Sequence, residues 1–205
     1  MAAPLRVLGS ERVALVGKTG SGKTYLAGRL TAALPRLVVL DPKGTLKGKW
    51  RLADWSDSRE RQLRRGDPVR VRVPAPLDGD WEPYLWAAYE AGNCTVYVDE
   101  VYGVVPAGSR TPAALTALYT RGRELGIGTW AATQRPSWVP LFVLSEAEWL
   151  AQFRLSLDAD RKRMAGLMGA PAALDNPPDK YGFYLFNQSW QRPAYFSKVS
   201  LAKGE

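Results

Sequence analysis

Histidine is absent from this chain of 205 residues, and cysteine occurs once, as Cys94. Without histidine there is no imidazole for acid/base catalysis, and one thiol alone cannot build a His/Cys zinc site. A single cysteine forms no internal disulfide, which fits a reducing compartment. No apolar run approaches the roughly 18 residues of a membrane span. The amino-terminal MAAPLRVLGSERVALVG lacks the long apolar core of a signal peptide. The expectation is therefore a chain without stable membrane insertion. Internal repeats and low-complexity linkers are missing as well. What is present, 46% hydrophobic residues spread along the whole length, suits a single globular domain over 1–205.

The net charge of +8 is unevenly placed. Between Pro42 and Arg72 stand ten basic residues (Lys43, Lys47, Lys49, Arg51, Arg59, Arg61, Arg64, Arg65, Arg70 and Arg72) against four acidic ones, whereas residues 73–205 carry twelve against fourteen. A local basic block of this kind fits a polyanion such as nucleic acid; a solvated, arginine-rich surface is the plainer alternative.

Apolar strand-like runs alternate with helix-like segments. The pattern predicts strands at Arg12–Val16, Arg36–Leu40, Thr95–Val98, Ile127–Thr133 and Ala151–Leu157. Val69–Val73 alternates Val and Arg, as a strand with one wet face does. Helices are expected over Gly22–Leu34, stopped by Pro35, and over Ser58–Arg65 and Trp81–Ala91. Two more are expected, Thr111–Leu125 with Thr111 as cap and Asp158–Met168 with Asp158 as cap. Tyr181–Asn187 and Ala194–Val199 read as a terminal hairpin. Such alternation predicts a mainly parallel sheet covered by helices on both faces, with antiparallel strands added at an edge.

Two motifs carry chemistry. Gly17, Lys18, Thr19, Gly20, Ser21, Gly22, Lys23 and Thr24 fit G-x-x-x-x-G-K-[ST], between a predicted strand and a predicted helix. Glycines let the backbone curl its N–H groups onto a phosphate chain, and the helix start adds its positive dipole end. Lys23 is placed for the β- and γ-phosphates and Thr24 for Mg²⁺, with Tyr25 completing the nucleotide-binding stretch. Downstream, Val96-Tyr97-Val98-Asp99-Glu100 is an apolar strand ending in two acids, the Walker B pattern. Asp99 is the expected metal ligand and Glu100 the general base that polarises water. ATP and Mg²⁺ are the implied cofactors, and the fold class is a P-loop NTPase of the RecA-like (ASCE) type, an α/β/α sandwich.

Taken together, GKTGSGKT, VVLDPKG at 38–44, VYVDE and RGRELGIGTWAATQRPS at 121–137 resemble the FtsK/HerA superfamily of DNA-pumping ATPases over residues 11–160. The compact length is most similar to the genome-packaging ATPases of tailless, membrane-containing icosahedral viruses, since FtsK's membrane segments and winged helix and HerA's barrel have no room here. The resemblance implies that the strand tipped by Gln134 lies between the P-loop strand and the Walker B strand, with Gln134 sensing the γ-phosphate or the attacking water. It implies a ring, hexameric or pentameric, in which a neighbour's arginine completes each site. Arg123 matches the family's position best and Arg121 second, and Arg154 on the fifth strand is a further candidate, in cis or in trans. Asp41 matches the tip of the second strand, near the nucleotide or a subunit contact. The implied partners are double-stranded DNA and a capsid vertex or portal, and the implied location is the host cytoplasm. DNA contacts are expected at Lys43, Lys47, Lys49, Arg51 and Arg110, with Trp50 and Trp55 beside them; Trp81, Trp86, Trp130 and Trp149 read as core or interface anchors. A cellular or plasmid HerA-like translocase, a filamentous-phage assembly ATPase and a nucleotide kinase are the rival readings.

Overall fold

Apolar runs without polar alternation form strands buried on both faces, and such strands belong at the centre of a parallel sheet. The computed structural model describes residues 7–197. In chain order its elements are β1 (Val13–Val16), α1 (Lys23–Leu30), β2 (Arg36–Asp41), β3 (Ala53–Asp54), α2 (Asp57–Arg64), β4 (Val69–Pro74), α3 (Glu82–Ala91), β5 (Thr95–Val98), α4 (Ala113–Arg121), β6 (Gly128–Thr133), α5 (Leu141–Ser145), β7 (Trp149–Gln152), α6 (Asp158–Met168), β8 (Phe183–Asn187) and β9 (Ala194–Phe196). The nine strands form one sheet in the order β3-β4-β2-β5-β6-β1-β7-β8-β9. β1 to β7 run parallel, and β8 and β9 add an antiparallel edge. β6 therefore does lie between β1 and β5.

The period of two along each strand splits the core. Ala14, Val16, Val38, Leu40, Val96 and Val98 face Leu85, Leu115, Leu118 and Met164 of α3, α4 and α6. Val13, Leu15, Leu37, Val39, Tyr97 and Trp130 face the other way, onto Leu26 and Ala27 of α1. The two layers are unequal: the second is completed by Leu46 and Trp50 of the loop after β2 and by Phe183 and Leu185 of the edge hairpin. Cys94 is buried, and burial pushes its thiol up to about 11.

Several expected boundaries move. α1 stops at Leu30 because Thr31 turns its hydroxyl back onto Ala27 O at 2.8 Å and the residue before Pro35 disfavours helical backbone. The strand expected over Ala151–Leu157 is β7, which begins at Trp149, in register with Val13, and ends at Gln152, where β1 itself ends. The hairpin begins at Phe183; its second arm was expected to reach Val199, and positions 198 and 199 lie outside the described residues. Helix α4 is not capped by Thr111. Glu82 on α3 reaches across to the backbone N–H groups of Ala113 and of Ala114 (2.9 Å). Asp158 is the first residue of α6, pairs with Arg161 and makes no cap bond. β3 and α5 are too short for periodicity to reveal.

β4 overturns the reading of a wet arginine face. Arg72 is buried and paired with Asp41 and Asp54, while Arg70 donates to Thr31 O, Leu34 O and Trp50 O at 2.6–3.1 Å. Part of the basic block thus points inward.

Candidate nucleotide site

The topology collects the chemistry. In a parallel sheet the carboxyl ends of neighbouring strands open on one edge, and ligands bind there. The loops leaving β1, β5, β6 and β2 carry Gly17–Thr24, Asp99–Glu100, Gln134 and Asp41–Arg51 to that edge. A cleft of about 390 Å³ lies between them, bounded by Thr19–Tyr25, Lys43, Thr45, Lys49, Asp99, Gln134 and Tyr181.

The loop after β1 turns through left-handed backbone at Gly20 (φ 73°) and Gly22 (φ 110°), conformations that glycine adopts without a Cβ penalty. It is packed down on the strand beyond: a Cβ on Gly17 would come within 2.6 Å of Phe153, and Lys18 N donates to Arg154 O at 2.8 Å. The Lys23 ammonium is buried against the carbonyls of Gly17 and Lys18 (3.1 Å to the latter). Burial lowers its pKa to about 8, opposed by Glu100 and Asp99 and assisted by Lys43.

At the tip of β5 the two acids differ in their surroundings. Asp99 Oδ1 accepts from Tyr97 Oη at 2.8 Å and faces Thr24 Oγ1 at 3.4 Å. Burial, the largest cause, raises the Asp99 pKa, and the Tyr97 hydrogen bond works against it. Glu100 accepts from Gln134 Nε2 (3.0 Å), Gln134 N (3.3 Å) and Lys43 Nζ (2.7 Å). Gln134 in turn accepts from Thr19 Oγ1 at 2.5 Å. One amide thus links the phosphate loop to the second acid, using its donor and acceptor ends at once. The turn beyond Gln134 is fixed by buried Asp160 of α6, which accepts from Arg135 Nε, Ser137 N and Ser137 Oγ.

Lys43 was expected on a DNA surface and stands in this cleft instead. Asp41 does not line the cleft itself. Its fully buried carboxylate accepts from Thr45 N (3.0 Å), Leu46 N (2.9 Å) and Arg72 (3.2 Å), so it anchors the loop that carries Lys43. Trp50 and Trp55 are packing residues: Trp50 lies 5.6 Å from Tyr97 and fills the space above Gly28, and Trp55 meets Tyr84 edge-on. Lys47, Lys49, Arg51 and Arg110 are exposed.

The three arginines part company. Arg154 lies two residues past β7, half-buried beside its own phosphate loop. Arg121 and Arg123 precede β6, at the amino end of a six-residue strand whose carboxyl end bears Gln134. At about 3.3 Å per residue that separates them from the cleft by roughly 20 Å. Arg123 is 72% exposed, 3.8 Å from Glu148, and Arg121 lies over the Tyr89 ring.

Tyr181 and Thr45 were missed because they come from remote loops with no motif. Tyr97 was legible, since residues two apart on a strand share a face and Tyr97 is two before Asp99.

No protein-family profile matches the chain. The DNA packaging ATPase P9 of Enterobacteria phage PRD1 is 31% identical over 167 residues, which are 77% of this chain and 70% of P9. Among solved structures, the genome packaging NTPase B204 of Sulfolobus turreted icosahedral virus 2, in complex with AMPPCP, superposes with a TM-score of 0.76 at 18% identity, covering 94% of this chain and 100% of B204. The pCW3 conjugation coupling protein TcpA gives 0.58 at 16% identity, covering 92% of this chain and 60% of TcpA. These two are likenesses of fold.

Proposed function

The chain belongs to the family of the viral DNA packaging ATPase P9, and from that premise we infer that it is an ATP-hydrolysing motor that moves double-stranded DNA into a preformed capsid. The observation that carries the reading is the bond chain Thr19–Gln134–Glu100, which ties the phosphate cradle to the second acid at the tip of β5. Backbone N–H groups of Gly17–Thr24 and the Lys23 ammonium hold the β- and γ-phosphates. Glu100 takes the proton of the attacking water, and Gln134 orients that water against the γ-phosphate. Arg123 of a neighbouring copy stabilises the charge of the transferring phosphoryl group, which requires a ring of subunits.

Mg²⁺ fits the residues present. Among the described residues there is no cluster of three carboxylate, His or Cys ligands. A Mg²⁺ ion carried in on nucleotide needs only one or two protein oxygens, and Thr24 and Asp99 face each other at 3.4 Å in the cleft. When bound, it supplies charge neutralisation for the β- and γ-oxygens. Lys47, Lys49, Arg51 and Arg110 contact DNA phosphates, and the motor works in the host cell at the packaging vertex. Among the described residues no helix is long and apolar enough to cross a membrane.

Phosphate release with and without duplex DNA tests this reading. Wild type should hydrolyse ATP with Mg²⁺, lose activity in EDTA, and accelerate with duplex DNA. Glu100→Gln should still bind nucleotide and fall by about a thousandfold in turnover. Indifference to every nucleic acid, with phosphate passed to an acceptor nucleotide, would overturn it in favour of a kinase.

A further inference from the structure

The Asp41–Arg51 loop is pinned to the fold at Asp41, Leu46 and Trp50 and presents its cations between those points. Asp41 holds Thr45 N and Leu46 N, and Pro42 packs so closely on Gly103 that an added Cβ there would lie 2.6 Å away. β2 runs beside β5 with Leu40 in register with Val98. The chains leaving the two strands therefore emerge side by side, and Lys43 meets Glu100 at 2.7 Å. Glu100 Oε2 accepts from both Lys43 Nζ and Gln134 Nε2, and Oε1 accepts from Gln134 N. Both lone pairs of Oε2 are thus engaged, one of them by a full positive charge, and a water O–H is left only the second lone pair of Oε1. Between the anchors formed by Leu46 and Trp50 and just beyond them, Lys47, Lys49 and Arg51 are exposed, and among the described residues none of them has an ion-pair partner. Four cations in nine residues thus share one loop, the first on the general base and the others facing solvent.

We infer that Lys43 is a positioning residue that restrains Glu100 from accepting the proton of the attacking water, and that DNA phosphates bound at Lys47, Lys49 and Arg51 draw the Lys43 ammonium away and release the carboxylate. The Lys43 side chain is 39% exposed and the Glu100 side chain only 7%, so the lysine is the partner with room to leave. A polyanion held by the three neighbouring charges competes with Glu100 for the ammonium directly. This inference rests on the reading of the chain as an ATPase that answers to DNA.

Steady-state hydrolysis by wild type, Lys43→Ala, Lys43→Gln and Lys43→Arg, each with and without duplex DNA, tests it. Removing the cation should raise turnover without DNA about tenfold, the scale of one charge-assisted hydrogen bond, with little change in KM and little further gain from DNA. Lys43→Arg keeps the charge and should stay slow until DNA is added. Lys47→Ala/Arg51→Ala should lose stimulation, and adding Lys43→Ala to that double variant should restore fast turnover without DNA. A Lys43→Ala protein no faster than unstimulated wild type, or one whose KM rises while kcat falls, would overturn the restraint and make Lys43 a phosphate ligand. Wild type deaf to DNA together with a fast Lys43→Ala protein would sink the motor reading and leave the restraint standing.

Discussion

Two pairs of arginines, Arg70 and Arg72 on β4 and Arg121 and Arg123 before β6, have opposite fates. Arg72 is buried between Asp41 and Asp54, and Arg70 is spent on three backbone carbonyls. Arg123 points into solvent with one carboxylate at 3.8 Å, and Arg121 rests on a tyrosine ring. What separates the pairs is the stock of acceptors that the fold brings to them. β4 lies between the tip of β2 and the short β3, where carboxylates and open carbonyls converge. The turn before β6 ends a helix at the rim of the sheet, where little converges. A charge satisfied within its own chain holds the fold; a charge left outward is available to another molecule.

The largest effect expected from breaking this contrast is on activity. Arg123→Ala should lower turnover by about a thousandfold, the loss typical of a missing arginine finger, and leave the thermal midpoint almost unmoved. The contrast sharpens in mixtures. Arg123→Ala keeps an intact cleft and Glu100→Gln keeps an intact arginine. If Arg123 acts on the neighbour, a mixture of the two inactive proteins should recover phosphate release well above their sum. Mixtures as inactive as their components would return the finger to Arg154, which stands beside its own cleft.

On β4 the same substitution should act on stability. Arg72→Ala leaves the Asp41 carboxylate buried with two backbone donors and no countercharge, which costs about 3 kcal/mol. Urea unfolding should show a lower midpoint with unchanged slope. Arg65→Ala, in the same basic block but paired with Asp67 at the surface, should cost no more than about 0.5 kcal/mol. Equal losses in the two variants would remove the distinction between inward and outward arginines.

The chemistry that lies within short windows was legible in the sequence. The phosphate loop and the acid pair depend on spacings of eight and five residues, and the backbone alone brings those residues together. The place of β6 between β1 and β5 was implied by family resemblance, not by pattern. What could not be read depends on which strands are neighbours. Lys43 meets Glu100 only because β2 lies beside β5, 57 residues apart in sequence. Glu82 caps α4 across 31 residues where Thr111 offered a local alternative. Val-Arg alternation on β4 has the pattern of a solvated face, yet Asp41 and Asp54 arrive from other strands to pair with Arg72.

The smallest effect belongs to Lys47 and Arg51, which extend the contrast to DNA. Both are exposed and lie outside the cleft wall that Lys43 and Lys49 help to form. A cation that meets a phosphate releases a counterion, so binding should weaken with salt in proportion to the number of phosphates so neutralised. Lys47→Ala/Arg51→Ala should weaken duplex DNA binding only several-fold at moderate salt, for every sequence alike. It should also flatten the plot of log affinity against log salt by about 1.8, or about 0.9 for each phosphate that no longer meets a cation. Arg70→Ala removes one charge from the same basic block, but its guanidinium is enclosed by Thr31, Leu34 and Trp50. It should destabilise the fold and leave the slope of the binding plot where it was. A slope that fell equally for Arg70→Ala would mean that DNA senses the block as a diffuse field and not through the side chains of one loop.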